Sequence, residues 1–169
     1  MAKELKEVWL VDYARTPFSR SRPGKPERDV FGELRGDELL ATLMMKFFDQ
    51  KLNDKGITKE DIGEVVIGCA LPVHENWTYG GRLPLFLAGF PEDTPAHFAE
   101  RQCGSGGTAM TNAAMEIMVG NIKCAMACGF EHMTRVSMNI KYNKHIKPNL
   151  NMINKKSDWY RPQYDILTT

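Results

Sequence analysis

A chain of 169 residues, with 43% hydrophobic and 25% charged side chains and a net charge of +1, is long enough to bury one core. That balance excludes a disordered or fibrous chain, and the longest apolar run, around Ala125 to Ala127, is far too short to cross a membrane. Lys3, Glu4, Lys6 and Glu7 crowd the start, where a secretory signal would need an apolar stretch, so the chain is expected to be cytoplasmic.

Charge is unevenly spread. Residues 1–120 carry a net −4 and residues 121–169 a net +5. A basic end on a near-neutral chain fits an anionic ligand, nucleic acid or a solvated surface. The four cysteines, Cys69, Cys103, Cys124 and Cys128, are read as thiols rather than bridges in a cytosolic setting. Cys124, Cys128 and His132 recur at intervals of four, which invites a metal reading, but no fourth ligand with matching spacing follows.

In chain order, Val8–Val11 is an apolar run predicted to be a buried strand, broken by Arg15-Thr16-Pro17-Phe18. A polar loop with Pro23, Gly24 and Pro26 follows. Asp37 is expected to cap a helix whose apolar positions are Leu39, Leu40, Leu43, Met44 and Phe47. Thr58 and Asp61 have the spacing of a capping box, and Val65–Ala70 reads as a second buried strand. Arg82–Ala88 is helical in pattern. After Cys103, the positions Met110, Ala113, Ala114, Ile117 and Met118 predict one helix face, with Gly120 ending the helix. Cys124–Cys128 is a third buried strand. Strands alternating with helices imply an α/β fold with a mostly parallel sheet layered with helices. Residues 137–154 are polar and basic without a clean period, and the chain stops at Leu167-Thr168-Thr169 as an interrupted domain would.

Cys103 carries the chemistry. A cysteine becomes a strong nucleophile when its thiolate is stabilised, and a helix N-terminus does this with unpaired N–H groups and about half a positive charge. Gly104, Ser105, Gly106 and Gly107 keep bulk away from the sulfur. Three glycines in four positions cost a helix start a few kcal/mol in total at ~1 each, which suggests a functional reason. The competing reading is an inert cysteine buried ahead of a helix.

Arg101-Gln102-Cys103-Gly104-Ser105-Gly106 resembles the nucleophile motif of the thiolases, Asn-Arg-x-Cys-x-Ser-Gly. Val11–Phe18 is similar to that family's first strand and its turn. Val65–Cys69, with Arg82, Ala88-Gly89 and Pro91, is similar to the stretch leading to the nucleophile. Asn112–Gly120 and Ala127–Met133 are similar to the nucleophile helix and the strand behind it. Glu100 departs from the pattern, standing where the family usually has Asn, and so does Phe130-Glu131-His132-Met133.

The resemblance implies a thiolase-type fold of which this chain is an incomplete half: residues 1–133 the N-terminal domain, residues 134–169 the start of the loop domain that binds coenzyme A. It implies acyl transfer between coenzyme A thioesters (acetoacetyl-CoA synthesis or thiolysis) through a Cys103 acyl-enzyme, as in fatty acid metabolism. No metal or prosthetic group is implied, coenzyme A being a substrate. Arg135, Lys141, Lys144 and Lys147 are candidates for the coenzyme A side.

The family's Gly-His-Pro and Cys-x-Gly motifs are absent here. None of His74, His97, His132 and His145 has the Gly-His-Pro context, and His97 is expected in a surface turn. A second chain carrying those motifs is therefore the expected partner, in an oligomer of such pairs, with neither nucleic acid nor membrane as a partner. The alternative is a non-catalytic assembly or coenzyme A-binding subunit whose Cys103 is never acylated.

Overall fold

A computed structural model of the chain describes residues 4–147, 149–152 and 154–162. Pro148 and the end of the chain at Leu167–Thr169 lie outside the described residues.

Three strands form one parallel sheet. β1 (Glu64–Gly68) is central, flanked by β2 (Ala96–Ala99) and β3 (Ala125–Gly129). Val66 of β1 stands level with His97 on one side and Ala127 on the other. A strand bonded on both edges and covered on both faces is apolar throughout, and Val65, Val66 and Ile67 are completely buried. The side-chain alternation of a strand then splits the core in two. Val65 and Ile67 face helices α1 (Gly36–Phe47) and α2 (Arg82–Leu87), packing with Leu40, Met44, Phe48 and Leu85. Val66 faces helix α3 (Ser105–Val119), packing with Ala99, Ala109 and Ala113. The result is three layers: α1 and α2, the sheet, and α3.

Helix α1 is amphipathic as its spacing predicts, with Leu40, Met44, Phe48 and Leu52 one turn apart and buried. Phe48–Leu52 extend it as a π-turn, and Gly56, at φ 70°, ends the helical run in the left-handed region that glycine adopts without strain. Asp37 lies inside the first turn rather than at the cap, which is Arg35. Its carboxylate accepts from Arg35 at 3.0 and 2.8 Å and is committed there. The capping box between Thr58 and Asp61 forms, and Gly120 closes α3 at φ 82°.

Four expectations change. The run Val8–Val11 forms no strand and is exposed, Trp9 and Leu10 at 78% each. A strand exists by pairing, and among the described residues this run pairs with none of the three strands. β3, bonded only to β1 among the described residues, is half-exposed, with Ala127 and Gly129 open. Of the predicted α3 face Ala113 is buried, Ala114, Ile117 and Met118 are half-buried and Met110 is exposed, the buried stripe being Ser105, Ala109 and Ala113. Met110 and Met115 project outward at 57% and 55% exposure. His97 is not in a turn but in β2. The described residues between 134 and 162 form turns, with a short helical turn at Leu150–Met152, in keeping with their lack of period. Among the described residues, no helix is long and apolar enough to cross a membrane.

Candidate active site

The turn from β2 into α3 presents Cys103. The sequence has no turn glycine before the cysteine, and Gln102 instead takes φ +50°, a left-handed conformation that costs a side-chain-bearing residue about 1–2 kcal/mol. Two consecutive turns offset that cost: Gly104 N–H donates to the Arg101 carbonyl and Ser105 N–H to the Gln102 carbonyl, both at 3.0 Å. The buried Ser105 hydroxyl adds two more bonds, accepting from Arg101 N–H at 2.8 Å and donating to the Gln102 carbonyl at 2.6 Å. The chain enters the helix at Gly104, and Cys103 is left exposed one residue before it.

Glycines act at this corner by close approach. A Cβ on Gly68, at the end of β1, would stand 2.5 Å from the Ser105 carbonyl and 2.7 Å from Gly106 N. A Cβ on Gly129, at the end of β3, would stand 3.7 Å from the Gly106 Cα. The end of β1 and the start of α3 thus touch backbone to backbone, whereas at Gly129 a Cβ would find ordinary contact room. Added Cβ atoms on Gly106 and Gly107 would meet nothing within 4 Å among the described residues, so the helix start beside Cys103 is open on that side.

The other cysteines are poor nucleophiles. Burial, with the nearby Glu131 carboxylate, pushes the Cys69 thiol up to about 12. Burial alone pushes Cys128 to about 12 and also raises Cys124. Cys103 is the exposed cysteine. It is not buried ahead of the helix, as the competing reading has it.

Each histidine is engaged elsewhere. His97 Nδ1 lies 2.8 Å from Glu64 Oε1, and its Nε2 lies 3.2 Å from Asn112 Nδ2, tying β1, β2 and α3 together. His132 is buried with Nε2 2.8 Å from the Phe31 carbonyl. His74 Nε2 donates to Asn143 Oδ1 at 2.9 Å, the Asn143 amide nitrogen being used on Ser137, and His145 packs edge-on against His74 with ring centres 4.1 Å apart.

The predicted basic residues are not gathered at Cys103 by any contact. Arg135 pairs with Glu75 at 2.6 Å and donates to the Gly32 carbonyl at 3.0 Å, and the Glu75 bond raises its pKa. Lys141 lies over the Tyr142 ring at 5.4 Å, while Lys144 and Lys147 are exposed. A cavity of about 470 Å³ opens between Arg15–Ser19, Leu43 of α1 and Phe130–Met133, and Cys103 does not line it.

Two residues went unread in the sequence. Glu131 joins the ends of β1 and β3: one carboxylate oxygen accepts from Ala70 N–H at 2.7 Å, the other from Asn76 at 3.2 Å and the Cys69 thiol at 3.4 Å. A lone acid just past a buried strand was its signal. Ser105 was read as a small neighbour of the thiol and as part of its motif but given no role, although a serine that opens a glycine-rich helix is suited to bond back to the preceding turn.

Comparison with known proteins agrees with this arrangement. The model of the family described as "Thiolase, N-terminal domain" matches residues 8–161. A 3-ketoacyl-CoA thiolase of Saccharophagus degradans is 32% identical over 149 residues, covering 88% of this chain and 35% of that protein. One of Aliivibrio fischeri is 33% identical over 135 residues, covering 80% and 33%. The dimeric peroxisomal thiolase of Saccharomyces cerevisiae, a crystal structure, superimposes with a TM-score of 0.61 at 29% identity, over 75% of this chain and 32% of that one. The chain spans about a third of the length of these relatives. With the nucleophile motif of the sequence on the strand-to-helix corner of a parallel α/β sheet, and the family match over residues 8–161, the chain belongs to the thiolase family.

Proposed function

We propose that this chain provides the nucleophile of an acyltransferase acting on coenzyme A thioesters, with Cys103 as the acyl carrier. The observation that carries the reading is the exposed Cys103 thiol at the start of α3, in a chain whose other cysteines have thiols raised by burial. In synthesis the Cys103 thiolate attacks the acetyl-CoA thioester carbonyl, the coenzyme A thiolate leaves, and the acetyl group passes from sulfur to the α-carbon of a second acetyl-CoA. In thiolysis the thiolate attacks the 3-oxo carbon, the C2–C3 bond breaks with acetyl-CoA leaving as its enolate and taking up a proton, and the acyl group passes from sulfur to coenzyme A.

The proton-moving and oxyanion groups come from residues outside this chain. Supporting this are the engagement of all four histidines away from Cys103 and the apolar surface at Trp9, Leu10, Met110 and Met115, which further chain would cover. The half-open edge of β3 calls for the same cover. In this reading residues 1–133 are the nucleophile domain and residues 134–169 begin the loop domain, with Arg135, Lys141, Lys144 and Lys147 on the side that takes coenzyme A.

In the complete protein, Cys103→Ala should abolish acetoacetyl-CoA thiolysis, and acetyl-CoA should leave an acetyl group on the Cys103 peptide of the wild type. A loss of only a few-fold refutes the nucleophile assignment, because a covalent mechanism without its thiol falls by many powers of ten. The engaged histidines also favour a second reading, a subunit that assembles without acylation. Absence of any acetylated Cys103 from a fully assembled, active complex would establish that one instead.

A further inference from the structure

We propose that Ser105 is a positioning residue, which aims the Cys103 thiol by holding Gln102 in its left-handed conformation. This rests on Cys103 being the acyl carrier and names what fixes it in place. Three observations converge. Gln102 is at φ +50°, a conformation its side chain disfavours, and it is bonded directly to Cys103. The Ser105 hydroxyl, itself buried, spans the turn from the Arg101 N–H to the Gln102 carbonyl, the two groups on either side of the strained residue. Ser105 cannot drift, because Gly68 of β1 lies against its backbone so closely that even a Cβ would collide at 2.5 Å. The clamp is therefore anchored to the sheet at one end and to the peptide joining Gln102 to Cys103 at the other. Without the hydroxyl the turn keeps its two backbone bonds, but Gln102 is free to relax towards negative φ, which swings the Cβ of Cys103. Small displacements of a reacting atom lower rates steeply, as much as about a hundredfold for 1 Å.

The strain supplies the test. If the serine works by holding a disfavoured φ, replacing Gln102 with glycine, for which that φ costs nothing, removes most of the need for it. The measurement is single-turnover acylation of Cys103 by acetyl-CoA, together with the steady-state kcat and KM of thiolysis, in the complete protein. Ser105→Ala is expected to slow acylation and kcat about tenfold with KM within about twofold. In a Gln102→Gly background the same substitution should slow them less than about threefold, because the two residues are coupled. An unchanged rate in Ser105→Ala overturns the proposal, and so does an equal loss in both backgrounds, which marks a serine that supports the fold alone. Should Ser105→Ala fail to fold, recovery of folding in the double variant supports the clamp, and failure of the double variant overturns it. Failure of the acyl-carrier reading looks different: Cys103→Ala would itself stay active.

Discussion

Limited alkylation tests the ranking of the four thiols. At pH 8 a thiol at about 12, as burial makes Cys69 and Cys128, is ionised in only about one molecule in 10⁴, against about one in four for a free cysteine near 8.5. The more basic thiolate is intrinsically more reactive. With a Brønsted slope of about 0.45, a difference of about 3.5 units returns some 40-fold of the roughly 2,400-fold deficit. Cys69 and Cys128 should then react about 60-fold more slowly than free cysteine, before any steric exclusion of the reagent from the buried Cys69. Treating the complete protein with substoichiometric iodoacetamide at pH 8, followed by peptide mapping, should place nearly all label on the exposed Cys103. Labelling of Cys69 should climb about tenfold per pH unit from 9 to 11. Comparable label on Cys69 or Cys128 at pH 8 would refute the claim that burial silences them, and with it the argument that singles out Cys103.

Two further outcomes follow from the packing. Gly68→Ala forces a Cβ to within 2.5 Å of the Ser105 backbone, which has no rotamer to yield, so denaturant unfolding should show a loss of about 1–3 kcal/mol or more. Asp29 is buried, which alone would raise its pKa, but bonds from the Ser19 and Thr134 hydroxyls and from Phe31 N–H outweigh this and hold the carboxyl below the usual aspartate range. A lowered folded-state value means stability that is present above about pH 4 and is lost as pH falls further. Asp29→Asn should cost about 1–3 kcal/mol at pH 7 and make acid unfolding monitored by circular dichroism less steep, whereas an unchanged acid limb would refute the assignment.

The layered α/β fold was legible in the sequence because its signals are local. Leu40, Met44 and Phe48 keep helical spacing, Val65–Ile67 is a continuous apolar run, and Gly120 sits where a helix must stop. The placement of Cys103 just ahead of a helix was legible for the same reason, its glycine neighbours and the helical spacing after them being short-range cues. What could not be read depends on partners distant in the chain. Ala96–Ala99 is too short and mixed to announce a strand, and it is one only because Val65 to Gly68 pairs with it. Val8–Val11 has the composition of a strand but pairs with no strand among the described residues. Met110 looked like core by periodicity alone, whereas the stripe of α3 against the sheet is Ser105, Ala109 and Ala113. Arg135 was expected on the coenzyme A side, and its pairing with Glu75, sixty residues earlier in the chain, has no local signal.

The corner where Gly68, Ser105, Gly106 and Gly129 meet has a mechanical consequence. Where side chains separate two elements, their rotamers act as springs and absorb small relative movements. At Gly68 main chain rests on main chain, so there is no cushion between the end of β1 and the first turn of α3. A shift of the sheet, from a distant substitution or from chain packed on β3, should pass to Cys103 almost undamped. Any region that tightens or loosens that sheet edge then acts on the thiol without touching it.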